Sequence, residues 1–128
     1  MSDERTTIDA DGAPDPVGPY SHAVASGDLL FCSGQIPLDP ESGEMIGDDA
    51  AGQATQCLRN LQAVCEAAGT GLDRAVRLTI YTTELEHFAE INEAYAEFFP
   101  SDPPARAAVG VVALPKGARV EIDAVVAL

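Results

Sequence analysis

Basic side chains are scarce in this chain of 128 residues. Seven Lys and Arg stand against twenty-one Asp and Glu, the formal net charge is -14, and Lys116 is the only lysine. Such a charge repels phosphate, so the composition argues against nucleic acid or an anionic membrane as a partner bound by bulk charge. It is typical of halophilic cytosolic proteins, whose self-repulsion is screened by salt. An ordinary acidic protein is the alternative interpretation.

Paired cysteines and clustered histidines are also lacking. Cys57 and Cys65 are separated by about 12 Å along a predicted helix, too far for a disulfide. The third cysteine, Cys32, is expected to be a small buried side chain. No CxxC motif occurs, and His22 and His87 are far apart in the sequence. Neither a disulfide framework nor a metal site is supported.

No apolar run reaches membrane-spanning length, and the first residues form no apolar signal core. We therefore expect a cytoplasmic protein. Residues 1–16 are rich in Asp, Gly and Pro and are predicted to form a flexible N-terminal arm. Residues 17–128 are predicted to form a single domain.

The periodicity of apolar residues predicts the order β-β-α-β-α-β-β. A hairpin is expected across Gly27 and Asp28, and helices are expected over 52–69 and 85–100. Strands are expected over 72–83, 106–113 and 119–127. The fold class is therefore α+β, with a mostly antiparallel sheet and two helices on one face.

The other face of this sheet is expected to lack a helical cover. It is predicted to carry side chains that are neither clearly polar nor bulky enough for a core: Thr79, Tyr81, Ala108, Gly110, Val112 and Val125. Such a face favours packing against other copies of the chain. A half-polar face exposed to solvent is the other possibility.

Arg106, in the stretch "PPARAAVGVV", starts an apolar strand. A guanidinium presents a rigid fork that binds a carboxylate through two parallel hydrogen bonds. It is therefore a candidate for binding a small organic acid. Pairing with one of the chain's many acidic side chains is an equally good explanation.

Other polar residues carry weaker signals. Glu121 alternates with apolar neighbours on the last strand and could orient water, or it could simply be solvated. Asn92 lies beside the apolar stripe of the second helix, where it could shape a pocket or hold a loop. Tyr20 follows Gly-Pro and could cover a ligand or fill the core. Gly34 allows close approach of a ligand, whereas Ser33 has no base nearby in sequence and is no convincing nucleophile.

Four stretches together resemble the reactive intermediate deaminases, also called the RidA or YjgF family and once labelled translation-inhibitor endoribonucleases. They are "GPYSHA", "LLFCSGQIPLDPESGE", "FAEINEAYAEFF" and "PPARAAVGVVALPKGARVEIDAVV". The resemblance extends from about residue 13 to the end of the chain. It implies a YjgF-like (chorismate-mutase-like) fold and a homotrimer with its sites in clefts between subunits.

The resemblance also implies an activity and the residues that carry it. The activity is hydrolysis of enamine and imine acids, of the 2-aminoacrylate and 2-iminobutanoate type, to 2-keto acids and ammonia without a cofactor. Arg106 matches the arginine that binds the substrate carboxylate, and Glu121 matches the glutamate that positions water. The remaining matches line the pocket: Tyr20, Ser33, Gly34, Asn92 and Ala108. Many members have Cys at the position of Ala108, whose backbone carbonyl would hold the imine nitrogen.

The sequence is also compatible with two other functions. A non-catalytic module that binds small carboxylates would use Arg106 equally well, whereas Glu121 favours an enzyme. An endoribonuclease or translation inhibitor is disfavoured by the charge of -14, although high salt weakens that objection.

Overall fold

A computed structural model describes residues 4–128 as one α+β domain with a six-stranded mixed sheet. The strands and helices, in chain order, are β1 (Arg5–Ile8), β2 (Ala23–Ser26), β3 (Leu29–Gln35), α1 (Ala50–Ala67), β4 (Ala75–Thr82), α2 (Phe88–Ala96), β5 (Ala105–Gly110) and β6 (Val120–Ala127). The strand order is β1-β2-β3-β6-β4-β5. Only the β4–β5 pair is parallel among the strands of the described residues. The predicted fold class and mostly antiparallel sheet are confirmed.

Local signals explain where these elements begin and end. Gly27 adopts a left-handed φ of 61° and forms the predicted β2–β3 turn with Asp28. The Asp49 carboxylate accepts a hydrogen bond of 2.8 Å from the Gly52 amide and so caps α1. Gly69, with φ 84°, ends this helix. Neither helix in residues 4–128 is long and apolar enough to cross a membrane.

The core lies between the two helices and one face of the sheet. Leu58, Leu61 and Val64 of α1 and Ile91 of α2 pack against apolar side chains of the inner strands, all fully buried: Leu30, Leu78, Ile80, Val120, Ile122 and Val126. All three cysteines are free thiols buried in this core, as expected for Cys32. Burial of these apolar side chains is the main stabilising contribution to the domain.

The prediction of a flexible arm over residues 1–16 is wrong for its described part, while residues 1–3 lie outside the described residues. β1 pairs with β2, and Ala10 and Ala13 are buried in the core. His22 holds this segment, because its Nδ1 accepts from the Ala10 amide at 2.9 Å and its Nε2 donates to Pro14 O at 2.7 Å. A short polar edge strand has no apolar alternation, so the sequence pattern did not indicate it.

The prediction of the uncovered face also needs correction. Ala108 pairs with Ile80 and Gly110 pairs with Thr82, so both lie on the helix side of the sheet. Val112 follows the end of β5 and is fully exposed. The open face instead carries Phe31 and Val109, which are 47% and 40% exposed, beside apolar and polar neighbours: Thr79, Tyr81, Ala107 and Val125.

Candidate functional site

The first candidate site is a cavity of about 230 Å³ beside Glu121. We call it the acid cavity. Its lining comes from the N-terminal segment, β3, the loop after β3, the turn before β6 and β6 itself: Val17, Tyr20, Ser33, Gly34, Ile36, Pro115 and Glu121. Four of the residues predicted from the sequence, Tyr20, Ser33, Gly34 and Glu121, are therefore brought together.

Glycine at position 34 makes room for the Glu121 carboxylate. A Cβ at this position would overlap Oε2 of Glu121 and lie 3.0 Å from its Cδ. Real Cβ atoms do not approach other groups so closely, so any larger residue would displace the carboxylate. Gly34 is predicted to allow close approach of a ligand, and room for the Glu121 carboxylate is a second reason for glycine at this position.

Hydrogen bonds between β3 and the N-terminal segment fix the wall of the acid cavity. The Ser33 hydroxyl donates to Ser21 O at 2.6 Å, and the Ser33 amide donates to His22 O at 3.0 Å. The hydroxyl proton is thus committed, while its lone pairs can accept a hydrogen bond from a ligand. The adjoining Tyr20 is 42% exposed, and its hydroxyl accepts from the Val17 amide at 3.1 Å.

The environment of Glu121 makes its carboxylate a stronger base. Partial burial raises the pKa of Glu121, and the negative charge of Asp123 on the same strand raises it further. Both side chains lie on the open face, because Val120, Ile122 and Ala124 are buried on the other. A carboxylate in such surroundings binds a proton more readily than one in water, which suits a group that accepts a proton from water.

The second candidate site is a groove of about 420 Å³ beside Arg106. We call it the arginine groove. It is lined by residues of α2, of the loop that follows and of β5: Asn92, Tyr95, Ala96, Phe99, Pro103, Pro104 and Arg106. The structure therefore brings Asn92 and Arg106 together, and Arg106 Nη1 donates to Asn92 Oδ1 at 2.6 Å.

Aromatic rings of α2 hold the guanidinium of Arg106. Its Cζ lies 4.8 Å from the centre of the Tyr95 ring and 5.2 Å from that of Phe88. These distances are typical of cation–π contacts. Phe88, Asn92 and Tyr95 are spaced i, i+4 and i+7, so one face of the helix supplies all three contacts.

The guanidinium has a positive charge without a carboxylate partner in the described part of the chain. No Asp or Glu of residues 4–128 forms an ion pair with Arg106, although the chain has twenty-one acidic residues. The alternative that Arg106 forms an ion pair with an acidic residue of the described segment is thus not supported. The arrangement leaves the guanidinium available for an external anion.

The acid cavity and the arginine groove lie on opposite faces of the sheet. Tyr81 pairs with both Glu121 and Val109, so Glu121 points to the open face, whereas Arg106 pairs with the buried Leu78 and lies on the helix face. β4 separates their strands, and their partners on β4 are three residues apart, so the backbones of Arg106 and Glu121 are about 14 Å apart. One chain therefore does not bring Arg106 and Glu121 to the same ligand. Ala108 lies on β5 on the same side as Arg106.

Sequence reasoning missed the role of two aromatic residues. Helical periodicity predicts that Phe88 and Tyr95 belong to the apolar stripe of the second helix, but both also contact the Arg106 guanidinium. Their helical spacing around Asn92 was the available signal. The acid-cavity residues Val17, Ile36 and Pro115 were not predicted either, because separate loops bring them together.

Comparisons with known proteins identify the family of this chain. A family model described as Endoribonuclease L-PSP matches residues 10–128. The RutC family protein y4sK of Sinorhizobium fredii is 54% identical over 121 residues, covering 94% of this chain and 96% of that protein. The human protein named 2-iminobutanoate/2-iminopropanoate deaminase is 41% identical over 121 residues, covering 94% of this chain and 88% of its own.

Solved structures show the same fold. RidA from the Antarctic bacterium Psychrobacter superposes with a TM-score of 0.92 at 42% identity, covering 96% of this chain and 99% of that one. TdcF from E. coli, solved with bound serine, superposes with a TM-score of 0.90 at 36% identity, covering 96% and 98%. The resemblance inferred from the four sequence stretches is thereby confirmed, and the chain belongs to the Endoribonuclease L-PSP family, also known as the RidA or YjgF family.

Proposed function

We propose that this protein hydrolyses 2-imino and 2-enamine acids, of the 2-aminoacrylate and 2-iminobutanoate type, to 2-keto acids and ammonia. The single observation that carries this proposal is the Arg106 guanidinium, held by an amide and two aromatic rings and unpaired with any carboxylate of residues 4–128. The deaminase activity in the name of the human relative supports the choice of substrate class.

The chemistry requires few groups. Arg106 binds the substrate carboxylate, and Glu121 orients a water and takes its proton as the oxygen adds to C2 of the imine. Glu121 then returns this proton to the nitrogen. The hydroxyl proton passes to the same nitrogen as the C=O bond forms, so the C–N bond breaks and neutral ammonia leaves. An enamine enters this sequence after it gains a proton at C3 and loses one from nitrogen to become the imine. The raised pKa of Glu121 favours the first proton transfer.

The complete site forms between copies of the chain. Arg106 and Asn92 come from one copy, and Tyr20, Ser33, Gly34 and Glu121 come from its neighbour in a homotrimer. Two observations support this assignment: the opposite faces of Arg106 and Glu121 within one chain, and the partly apolar open face with Phe31 and Val109 exposed. The Ala108 backbone carbonyl holds the imine nitrogen, a role that alanine fills as well as cysteine.

The experiment is an assay with 2-aminoacrylate or 2-iminobutanoate generated in situ. We expect the protein to release the 2-keto acid and ammonia faster than buffer does. No acceleration would refute the proposal, and binding of 2-keto acids without turnover would favour the non-catalytic carboxylate-binding module.

RNA cleavage is a second candidate only because the matching family model is described as an endoribonuclease. The net charge of -14 disfavours a polyanionic substrate. We expect no RNA cleavage by the purified protein. Cleavage that persisted in Arg106→Ala through repeated purification would support the nuclease instead.

A further inference from the structure

We propose that Asp123 and Tyr81 are positioning residues for Glu121: Asp123 keeps a second negative charge beside this base, and Tyr81 holds the Asp123 carboxylate in place. This inference rests on the proposed function, because it takes Glu121 as the group that accepts a proton from water. It concerns two residues that line neither the acid cavity nor the arginine groove.

Strand pairing brings Asp123 and Tyr81 next to Glu121 on the open face. Glu121 and Asp123 alternate with buried neighbours on β6 and are about 7 Å apart along the strand. On β4, Tyr81 pairs with Glu121, and Thr79 pairs with Asp123. All four residues are half-buried. The charge of Asp123 therefore acts on Glu121 partly through protein rather than through bulk water.

The Tyr81 hydroxyl contacts Asp123 rather than Glu121. It donates a long hydrogen bond of 3.4 Å to Asp123 Oδ2, although Tyr81 lies directly opposite Glu121. Burial and the negative charge of Asp123 raise the pKa of Tyr81, so the hydroxyl keeps its proton and stays a donor. No cation of residues 4–128 forms an ion pair with Asp123. The hydroxyl is therefore the side chain that orients this carboxylate.

The Glu121 carboxylate receives no such contact. Among the described residues, no amide or hydroxyl donates a hydrogen bond to it, and no cation pairs with it. A hydrogen bond to a carboxylate stabilises its ionised form and weakens the base, whereas a neighbouring negative charge has the opposite effect. Asp123 thus receives the hydrogen bond and Glu121 the neighbouring charge, which suits Glu121 as a proton acceptor.

The remaining charged or titratable groups around Glu121 come from three elements. They are Tyr20 of the N-terminal segment, Cys57 of α1 beneath the sheet and Arg77 of β4 on the open face. β3 contributes Ser33 and Gly34, which do not titrate. In the proposed homotrimer, Arg106 of a neighbouring copy would also face Glu121. All of these residues are kept in the variants below, so a difference between variants reports on the altered residue.

The test titrates Glu121 directly. The NMR signal of its carboxyl carbon, identified by its loss in Glu121→Gln, is followed against pH, and the acidic limb of kcat/KM is measured alongside. Asp123→Asn removes the charge and keeps an oxygen that can accept from Tyr81. We expect it to lower the pKa of Glu121 and the acidic limb together. At neutral pH, kcat should fall about two- to fivefold, with the Kd of 2-keto acids within about twofold.

Tyr81→Phe removes only the hydroxyl and should have an effect of the opposite sign. Without this donor, the charge of Asp123 is less compensated, so we expect the pKa of Glu121 to rise. The downward shift caused by Asp123→Asn should also be larger in the Tyr81→Phe background than in the unmodified protein, and a double-mutant cycle measures this difference. If Asp123→Asn fails to fold, Asp123→Ser makes the same comparison.

Asp28→Asn is the matched control, because it removes the same charge from the exposed β2–β3 turn. We expect it to leave the pKa of Glu121 unchanged. An equal shift in Asp28→Asn, no shift in Asp123→Asn, or any shift other than upward in Tyr81→Phe would each overturn the inference.

The NMR titration separates this inference from the proposed function. A Glu121 pKa that falls in Asp123→Asn supports the inference even if no imine is hydrolysed, a result that would refute the proposed function alone. Turnover with the same acidic limb in Asp123→Asn and in the unmodified protein would leave the deaminase intact and overturn the positioning role.

Discussion

The acid cavity and the arginine groove are held in place by different means. In the acid cavity, backbone hydrogen bonds fix Ser33 beside Ser21 and His22, and the missing side chain of Gly34 admits the Glu121 carboxylate. In the arginine groove, side chains of a single helix hold the cation. The acid cavity contains Glu121, whose pKa is raised. The arginine groove contains Arg106, which has no carboxylate partner among residues 4–128.

Each region therefore holds its charged side chain in place without the molecule that this side chain would bind. A bound carboxylate would pair with the positive charge of Arg106, and a water molecule would donate a hydrogen bond to the Glu121 carboxylate. Because the two lie on opposite faces of one sheet, a neighbouring copy is the simplest way to bring them together. The following variants test the two regions separately.

The largest effect is expected from Arg106→Ala. Without the guanidinium, the substrate loses both its charge partner and its orientation, so we expect kcat/KM to fall on the order of a thousandfold. Steady-state kinetics and light scattering provide the measurements, since the oligomer should persist. Arg59→Ala on the exposed face of α1 is the control. Activity retained in Arg106→Ala would refute carboxylate binding by this residue.

The next largest effect is expected from Glu121→Gln, which keeps the shape but removes the base. We expect kcat to fall about a hundredfold, with little change in the Kd of 2-keto acids. In the unmodified protein, the acidic limb of the kcat/KM profile should lie above the ordinary glutamate pKa of 4.5, because burial and Asp123 raise the pKa of Glu121. Equal losses in kcat and binding would contradict this role.

The same variant has a stability consequence with a defined sign. Because the pKa of Glu121 is raised in the folded protein, the ionised side chain destabilises the fold at pH values above that folded pKa. Glu121→Gln should therefore raise Tm at neutral pH. This gain should shrink as the pH falls through the folded pKa and vanish below the unfolded pKa. A gain in Tm that did not depend on pH would indicate a packing effect instead.

A smaller effect is expected from Gly34→Ala. The added Cβ overlaps Glu121 Oε2, so the carboxylate must move, and we expect turnover to fall roughly tenfold through misplacement of the base. The acidic limb of the pH profile should shift downward as Glu121 becomes more solvated. Gly12→Ala, whose Cβ would lie 3.5 Å from Ala63 Cβ in ordinary contact, is the control. Unchanged kinetics in Gly34→Ala would show that Glu121 has no required position.

The smallest effect is expected from Phe88→Leu, which keeps apolar bulk but removes one ring from the guanidinium. We expect KM to rise about two- to fivefold with kcat nearly unchanged. Phe88→Tyr, which keeps an aromatic ring, should have the KM of the unmodified protein. Phe98→Leu is the matched control, because Phe98 packs against the core beyond the end of α2. A fall in kcat alone, or an equal effect from Phe98→Leu, would refute the positioning role of the ring.

The sequence predicted the helices, strands and turns that have a regular apolar pattern or a turn glycine. The stripes of α1 and α2, the alternation of β6 and the Gly27 turn all follow from local periodicity. Strand alternation predicts that Val76 lies on the same buried face as Leu78 and Ile80. A register shift between β4 and β6 at this residue instead leaves Val76 49% exposed. β1 was missed because its "RTTI" segment is stabilised by pairing with β2 rather than by an apolar pattern.

The sequence supplied candidate site residues, but it did not supply their arrangement. The family resemblance gave a role to each of the seven candidate residues, and the structure gathers Tyr20, Ser33, Gly34 and Glu121 in one cavity. The separation of Arg106 from them depends on the β4–β5 and β4–β6 registers, which are long-range properties. The contacts of Phe88 and Tyr95 with Arg106 depend in the same way on how α2 packs over β5.

The most direct test of a site shared between copies is complementation between Arg106→Ala and Glu121→Gln. In a closed ring of randomly mixed subunits at equal amounts, about one quarter of the sites would combine an intact Arg106 with a neighbour's intact Glu121. We therefore predict that co-refolded mixtures regain about one quarter of the unmodified activity. Activity that stayed at the level of the two separate variants, in mixed oligomers verified by mass spectrometry, would contradict the shared site.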